Sequence, residues 1–298
     1  MNPNLHSPSA AQLAVYTSRP GQRPVVLFVQ FAARGEQADL GRLKALAQRA
    51  GRHGGELRWS GRDEQVLIGR LPEIGIGACL HFPTRAAALA CVNSPEHAAL
   101  FEDLDALRIT VLSEQPRAAR RVIALMARVL PRWPFFDNSE DSTPEPGIGT
   151  SIMPSQANYE TFLAHPAPLA PIVMVNWLRF REQARYSPGD RDAAPISGKA
   201  AYYRYGKIAF LTLHSLGARA LFVSRYQQVL VGNEGDPAAD AWHEFVLVEY
   251  PGRAGFKRMT SLRRYRAALH HRAAGLDDYG QGLVVATTVS GAPVASAA

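Results

Sequence analysis

Apolar and polar residues follow strand-like and helix-like patterns in two successive series along the chain. In the first series, an apolar, β-branched run predicts a strand at residues 25–31, and leucines at helical spacing predict a helix at residues 38–52. Gly54 and Gly55 end that helix, because glycine accepts the left-handed backbone of a helix terminus. Two short strand pieces, a third strand, two helical stretches and a closing strand are predicted at residues 57–60, 65–68, 77–82, 83–92, 95–104 and 108–112.

The second series repeats the order of the first. Strand, helix, two strands, helix and strand form the split β-α-β pattern of a ferredoxin-like unit. In this series the elements are predicted at residues 172–180, 198–216, 220–224, 228–231, 245–250, 252–268 and 282–287.

The sequence itself also repeats, which links the two series. Residues 53–69 align with residues 216–232 without a gap, so that Gly54 meets Gly217 and Gly69 meets Gly232. Further on, residues 82–86 align with residues 250–254. The sequence therefore predicts an α+β protein in which two ferredoxin-like repeats pair into a pseudo-dimeric α/β barrel, with a small-molecule pocket inside the barrel.

Five segments follow from this interpretation. We expect an N-terminal tail, a first repeat, a linker with an amphipathic helix, a second repeat and a C-terminal tail at residues 1–22, 23–116, 117–168, 169–290 and 291–298. The linker helix is expected to pack outside the barrel through Ile123, Met126 and Leu130.

Composition and charge narrow the class of protein. The hydrophobic fraction of 47% and the charged fraction of 20% are typical of globular domains. The net charge of +7 comes mainly from dispersed arginines without a nucleic-acid-binding motif, so no nucleic acid and no membrane partner are expected. Two cysteines and no visible export signal favour a cytoplasmic setting. Monomer and homodimer both stay open.

Several motifs of the second repeat carry a resemblance to a known family. They are PIVMVNWLRF at residues 171–180, Ser197-Gly198, Trp242, Arg253 and the pair His271-Arg272. In this order they resemble the DUF1330 group of the dimeric α/β-barrel superfamily, although family members commonly carry an acidic residue where this chain has His243. The superfamily includes cofactor-free monooxygenases, cyclases, isomerases and haem enzymes, so the resemblance implies a fold more firmly than a reaction.

Three residues are the candidate catalytic groups. Asn176 interrupts an apolar strand and shares a face with Met174 and Leu178, so it either orients a ligand or brackets the backbone. His271 is a candidate acid/base group and Arg272 a candidate anion anchor. The alternative interpretation is that both cations simply stabilise a helix C-terminus.

The candidate substrate-binding residues are Tyr202, Tyr205, His243, Glu249 and Arg179. Packing is the alternative role for the two tyrosines, with Tyr203 pointing elsewhere. We expect the loop at residues 181–195 to lie near the mouth of the pocket. No cofactor is expected, with haem or a metal as the minor alternative, because the histidines lack metal-ligand spacing.

The leading function is an enzyme that acts on a small organic molecule by acid/base chemistry. Isomerisation, cyclisation and cofactor-independent oxygenation fit this description, in secondary metabolism or aromatic degradation. The alternative is a non-catalytic ligand-binding protein of the same fold. Polar side chains that converge in the pocket of the second repeat would favour the enzyme.

Overall fold

Eight strands close into one barrel in the computed structural model, which describes residues 6–69, 75–130, 139–143, 147–190, 192–232 and 241–289. The strands are β1 (Val25–Phe31), β2 (Glu56–Ile68), β3 (Ile76–Phe82), β4 (Leu107–Ser113), β5 (Ile172–Phe180), β6 (Arg219–Val231), β7 (Glu244–Tyr250) and β8 (Leu276–Thr288). The helices are α1 (Ala10–Thr17), α2 (Glu36–Arg52), α3 (Arg85–Val92), α4 (Pro95–Phe101), α5 (Arg117–Val129), α6 (Gln156–Leu163), α7 (Gly198–Ser215), α8 (Arg253–Ser261), α9 (Arg263–Ala267) and α10 (Leu269–Gly275).

The strand order confirms the predicted fold class. Around the barrel the order is β1-β3-β2-β8-β5-β7-β6-β4. Half one therefore reads β4-β1-β3-β2 and half two reads β8-β5-β7-β6, which is the same ferredoxin-like order. The halves join through the antiparallel pairs β2–β8 and β4–β6.

Strands β2 and β6 are each continuous, whereas the sequence predicts two short pieces for each. Residues 56–62 of β2 pair with β3 of their own half, and residues 61–68 pair with β8 of the other half. Strand β6 divides its partners between β7 and β4 in the same way. The prediction was wrong about continuity because the second part of each strand is stabilised by a non-local partner.

Glycines that align in the sequence adopt the same backbone conformation in the two halves. Gly54 and Gly217 follow α2 and α7 with φ of 72° and 80°. Gly69 and Gly232 have φ of 84° and 82°, and a Cβ at either position would lie within 2.6 Å of a carbonyl oxygen of the other half. Glycine is therefore required at both strand crossings.

Helices α1 and α6 occupy corresponding places in the two halves. The Gln228 side chain donates to the backbone of Gln12 in α1 at 2.9 Å, and its sequence counterpart Gln65 donates to the backbone of Asn158 in α6 at 2.9 Å. The segment expected as an N-terminal tail thus contributes a packed helix between residues 6 and 22. Residues 291–298, expected as a C-terminal tail, lie outside the described residues.

Aromatic side chains from both halves fill the barrel interior. The Phe28 ring of half one lies 4.7 Å from Phe245 and 5.7 Å from Trp177 of half two, measured between ring centroids. Trp59 and Phe222 belong to the same buried cluster. These aromatic rings pack inside the barrel, where the sequence analysis expected the pocket, and the cavity described below lies on the outer face of the sheet.

Helix α5 lies outside the barrel and contacts α7. Ile123 and Met126 are partly buried and Leu130 is buried, as the apolar stripe predicted, while Val122, Leu125 and Val129 stay exposed. None of the described helices combines the length and the apolar character needed to cross a bilayer.

Candidate functional site

A cavity of about 590 Å³ lies in half two, between the outer face of the sheet and helix α7. Strand alternation turns Met174, Asn176 and Leu178 of β5 toward it, which confirms that these three share a face. The volume is within the usual range for small-molecule sites. Most of the lining is apolar, and it includes Val246, Val248, Leu283, Ala209 and Met126 of α5.

Three polar side chains in the cavity wall are joined by hydrogen bonds. Arg272 donates through Nη2 to Oε1 of Gln281 at 2.5 Å, and Gln281 donates through Nε2 to Oδ1 of Asn176 at 3.0 Å. The Asn176 amide nitrogen then donates to the carbonyls of Met174 and Val246, at 3.0 and 3.3 Å. Asn176 thus brackets two strands and also fixes the orientation of Gln281 toward the arginine.

Arg272 carries a buried charge with neutral partners only. Its guanidinium contacts the carbonyl oxygen of Ile152 at 2.5 Å and the Sδ of Met153 at 3.0 Å, besides Gln281. Only 5% of the residue is exposed, and within the described ranges no carboxylate ion-pairs with it. A buried cation without a counter-ion favours an anionic ligand in the adjoining cavity.

Six tyrosines line the cavity, and four of them form one group. Tyr205 and Tyr265 join their hydroxyls at 2.9 Å, and Tyr250 and Tyr202 complete the group. Burial raises the pKa of Tyr202 far above its usual value, while the charge of Arg272 lowers it and that of Glu244 raises it. Burial also raises the pKa of Tyr250 and of Tyr265, so these two phenols and that of Tyr202 are neutral at physiological pH. Tyr202 lies within electrostatic reach of both charges. Tyr202 and Tyr205, predicted to bind substrate, do line the cavity.

Glu244 is the carboxylate that the sequence analysis missed. It is buried on the cavity wall, pairs with the Lys199 amine at 2.8 Å, and accepts a short hydrogen bond from the Tyr203 hydroxyl. Burial raises the pKa of Tyr203, and the hydrogen bond to Glu244 raises it further, so the phenol remains the donor. Tyr203 was expected to point elsewhere, but it reaches over the mouth to this carboxylate.

The signal for Glu244 was present in the alternation of β7. Glu244, Val246, Val248 and Tyr250 are spaced by two and all line the cavity. Because the strand was expected to begin one residue later, Glu244 was not placed on that face.

His271 lies outside the lining of the cavity. Its Nδ1 is 2.9 Å from the hydroxyl of Tyr186, in the loop between β5 and α7, and its ring lies 3.9 Å from that of His270. Partial burial, with His270 and Arg204, lowers the pKa of His271 and keeps the ring neutral at pH 7. The described residues of the loop at 181–195 contact α10 and do not line the cavity mouth, because backbone bonds from Arg181 and Arg185 hold the loop there.

His243, Glu249 and Arg179 also lie away from the lining. Nδ1 of His243 accepts the backbone N–H of Phe180 at 2.9 Å, so this histidine supports the end of a strand. Glu249 pairs with Arg219 at 2.8 Å, and Arg179 pairs with Asp277 at 3.1 Å. The structure therefore brings together Asn176, Arg272, Tyr202 and Tyr205 of the predicted residues and separates the other four.

Two glycines set the distance between the helices that carry Tyr202 and Arg272. A Cβ on Gly275 of α10 would lie 2.5 Å from the carbonyl oxygen of Gly198 and 2.6 Å from the amide nitrogen of Tyr202. A Cβ on Gly198 would meet the carbonyl of Gly275 at 2.6 Å. The backbones of α7 and α10 therefore touch, and this contact holds both side chains on one cavity.

The donor set of the cavity does not suit a histidine- or cysteine-ligated haem. No histidine or cysteine is among its described lining residues. No cluster of three or more histidine, cysteine, aspartate or glutamate side chains that could hold a metal ion occurs in the described part of the chain.

No family model and no curated protein sequence matches the chain. Among solved structures, it is similar to a protein of unknown function from Rhodopseudomonas palustris, with 28% identity over 45% of this chain and 93% of that one (TM-score 0.38). It is also similar to a mutant chlorite dismutase from Candidatus Nitrospira defluvii, with 11% identity over 91% and 94% (TM-score 0.44). An anthrone oxidase-like protein matches with 10% identity over 92% and 97% (TM-score 0.41).

Proposed function

We propose that the protein is an enzyme that acts on a small apolar molecule with one anionic group, bound in the cavity of half two. The observation that carries the proposal is Arg272, a buried guanidinium beside an apolar cavity with no carboxylate partner among the described residues. A carboxylate, enolate or phenolate would complete its charge. The aliphatic and tyrosine side chains would hold the carbon skeleton.

Acid/base chemistry is assigned to Glu244 in this proposal. The carboxylate can accept a proton from bound substrate, and Tyr203 and Lys199 hold it in place. Asn176 acts through Gln281 to position Arg272, so it is a positioning residue. Isomerisation, cyclisation and cofactor-independent oxygenation of an enolisable or phenolic substrate can each begin with such a proton transfer.

Anion recognition can be tested with a pair of probes that differ in charge alone. We expect wild-type protein to bind 1-naphthoate at least about tenfold more tightly than 1-naphthamide, since a charge-assisted bond contributes roughly 1.5–3 kcal/mol. The R272M variant should lose this preference and keep its affinity for the amide. R263M, which removes an exposed arginine of α9, is the matched control. A preference that persists in R272M would refute the anchor.

Catalysis can be tested by hydrogen–deuterium exchange at the benzylic carbon of phenylpyruvate, an enolisable aromatic anion. Wild-type protein should accelerate the exchange, and E244Q should slow it by about 10²-fold, which is typical for removal of a general base. If H271A stops the exchange while E244Q does not, the base is His271 instead.

A non-catalytic binding protein is the second candidate. The favouring observation is that the Asn176 amide group is fully used by Met174, Val246 and Gln281, which leaves few free polar atoms in an apolar cavity. Tight naphthoate binding without phenylpyruvate exchange would select this function.

We also propose that half two is DUF1330-like and that the chain arose by tandem duplication. The support is the shared strand order and the paired glycines Gly54–Gly217 and Gly69–Gly232, which adopt the same positive φ.

A further inference from the structure

A second cleft, of about 790 Å³, lies at the end of the barrel, mostly in half one but with Gln227 of half two in its lining. It shares no lining residue with the cavity of half two. It lies where the turn after α1 meets the ends of β3 and β4 and the middle of β6. Its charged lining consists of Arg19, Arg23, Arg58, Arg85, His81 and Glu114, that is, four arginines against one carboxylate.

Arg85 lies at the base of this positive charge. It is 3% exposed, and its guanidinium carbon is 3.9 Å from the centre of the Tyr16 ring. The Nη1 atom donates to Oε1 of Gln227 at 2.6 Å, and Nη2 donates to the carbonyl of Tyr16 at 2.9 Å. Both acceptors are neutral, and within the described ranges no carboxylate ion-pairs with Arg85.

The corresponding arginine of half two has a carboxylate partner, which Arg85 lacks among the described residues. Arg253 aligns with Arg85, is also 3% exposed, and lies 5.5 Å from the Phe162 ring of α6, the counterpart of α1. Its guanidinium forms an ion pair with Glu64 of β2. In the gap-free alignment Glu64 corresponds to Gln227 of β6. The same arginine interaction therefore occurs twice across the barrel, but Arg85 of half one meets the amide of Gln227, whereas Arg253 of half two meets the carboxylate of Glu64.

The cleft has an apolar rim, and further cations face into it. Pro20, Pro24, Pro83 and Pro116 form its apolar rim, and each proline fixes its own backbone. Arg58 is held by Glu56 and Glu114, both at 2.8 Å. Arg19 and Arg23 are exposed beside Arg85. Burial lowers the pKa of Arg85, and the nearby charge of Arg19 lowers it further. A positive and partly apolar cleft suits an organic anion.

We propose that this cleft binds a small phosphate monoester. The dianionic phosphate supplies the charge that Gln227 does not supply, with Arg19 and Arg23 as its direct donors and Arg85 as the buried charge beneath them. Arginine suits phosphate because its planar fork bonds two oxygens at once. The proline rim contacts the organic part of the ligand.

Titration calorimetry of the full chain with phenyl phosphate tests this proposal, at constant ionic strength set with potassium chloride. Wild-type protein should bind one equivalent, and R19A/R23A should bind at least about tenfold more weakly. R52A/R121A removes two exposed arginines elsewhere and should stay within twofold of wild type. Naphthoate binding in the other cavity should not change in any of these variants.

The decisive variant is Q227E, which gives Arg85 a carboxylate partner equivalent to the one that Arg253 has in Glu64. It should abolish phenyl phosphate binding and leave the fold intact, because an internal anion then occupies the place of the ligand's charge. The proposal would be overturned if Q227E bound phenyl phosphate as tightly as wild type. It would also be overturned if R19A/R23A and R52A/R121A lost the same affinity, or if wild type showed no heat of binding at constant ionic strength.

Discussion

Arg272 and Gln281 face each other across the cavity wall with 2.5 Å between Nη2 and Oε1. The acceptor is an amide, so the guanidinium gains a hydrogen bond without losing its net charge. A glutamate in the same place would neutralise the arginine permanently. The choice of glutamine keeps the charge available to a ligand.

This relationship predicts the effect of Q281E. The variant should lose its preference for 1-naphthoate over 1-naphthamide, while the affinity for the amide stays within about threefold because the cavity keeps its volume. The expected melting temperature is close to that of wild type, since Arg272 gains a counter-ion while Asn176 Oδ1 loses its donor. Calorimetry with both probes measures this, and an unchanged preference would show that Arg272 is not the anchor.

The two corresponding arginines predict opposite responses to exchanging glutamate and glutamine. E64Q should destabilise the protein by about 2–3 kcal/mol, because it leaves Arg253 buried without its carboxylate. Q227E should be neutral or stabilising, because it gives Arg85 the partner that it lacks. Urea unfolding of both variants measures the difference. Similar losses in both would show that the halves are not equivalent at this position.

The contact between α7 and α10 predicts that any side chain at Gly275 lowers the stability of the protein. G275A should destabilise by about 1–3 kcal/mol and weaken naphthoate binding, because the added carbon must separate the helices that carry Tyr202 and Arg272. Gly41 in α2 has open space around it, and G41A should be neutral or stabilising. Thermal melts of the pair, with binding measured on each, provide the comparison.

Asp63 predicts a pH dependence of stability. Burial raises its pKa to about 6 from the usual 3.8, opposed by a backbone hydrogen bond from Gly75. The folded state therefore holds this proton more tightly than the unfolded state, so the stabilisation is present below pH 4 and is lost as pH rises through 6. D63N should be more stable than wild type by about 1–2 kcal/mol at pH 7.5 and equally stable at pH 4. This difference is smaller than the pKa shift alone would give, because the carboxyl group is partly exposed to solvent. Unfolding across this pH range measures it, and a constant difference would contradict the assignment.

Local patterns were sufficient to predict the fold. Glycines at the ends of α2 and α7 and branched residues in the strands are short-range signals, and their repetition indicated two equal units. The continuity of β2 and β6 and the packing of α1 were missed because both depend on partners more than a hundred residues away.

The site was predicted only in part, for a similar reason. Asn176 and Arg272 were identified because a polar residue in an apolar strand and a paired cation are visible in the sequence. His271 was misplaced relative to the cavity, because its neighbour Arg272 turns inward while its own ring turns to Tyr186. Glu244 required the strand to begin one residue earlier, which the sequence alone did not reveal.

Because a single chain closes the barrel, the two interfaces between its halves can change independently. In a symmetric dimer of single-unit chains, every substitution appears at both interfaces, so an ion pair is kept twice or lost twice. Here the interfaces β2–β8 and β4–β6 are encoded separately. Arg253 keeps Glu64 at one of them, and Arg85 faces Gln227 at the other. A single chain can therefore keep a stabilising ion pair at one interface while the other interface is left with a charge for the proposed phosphate ligand.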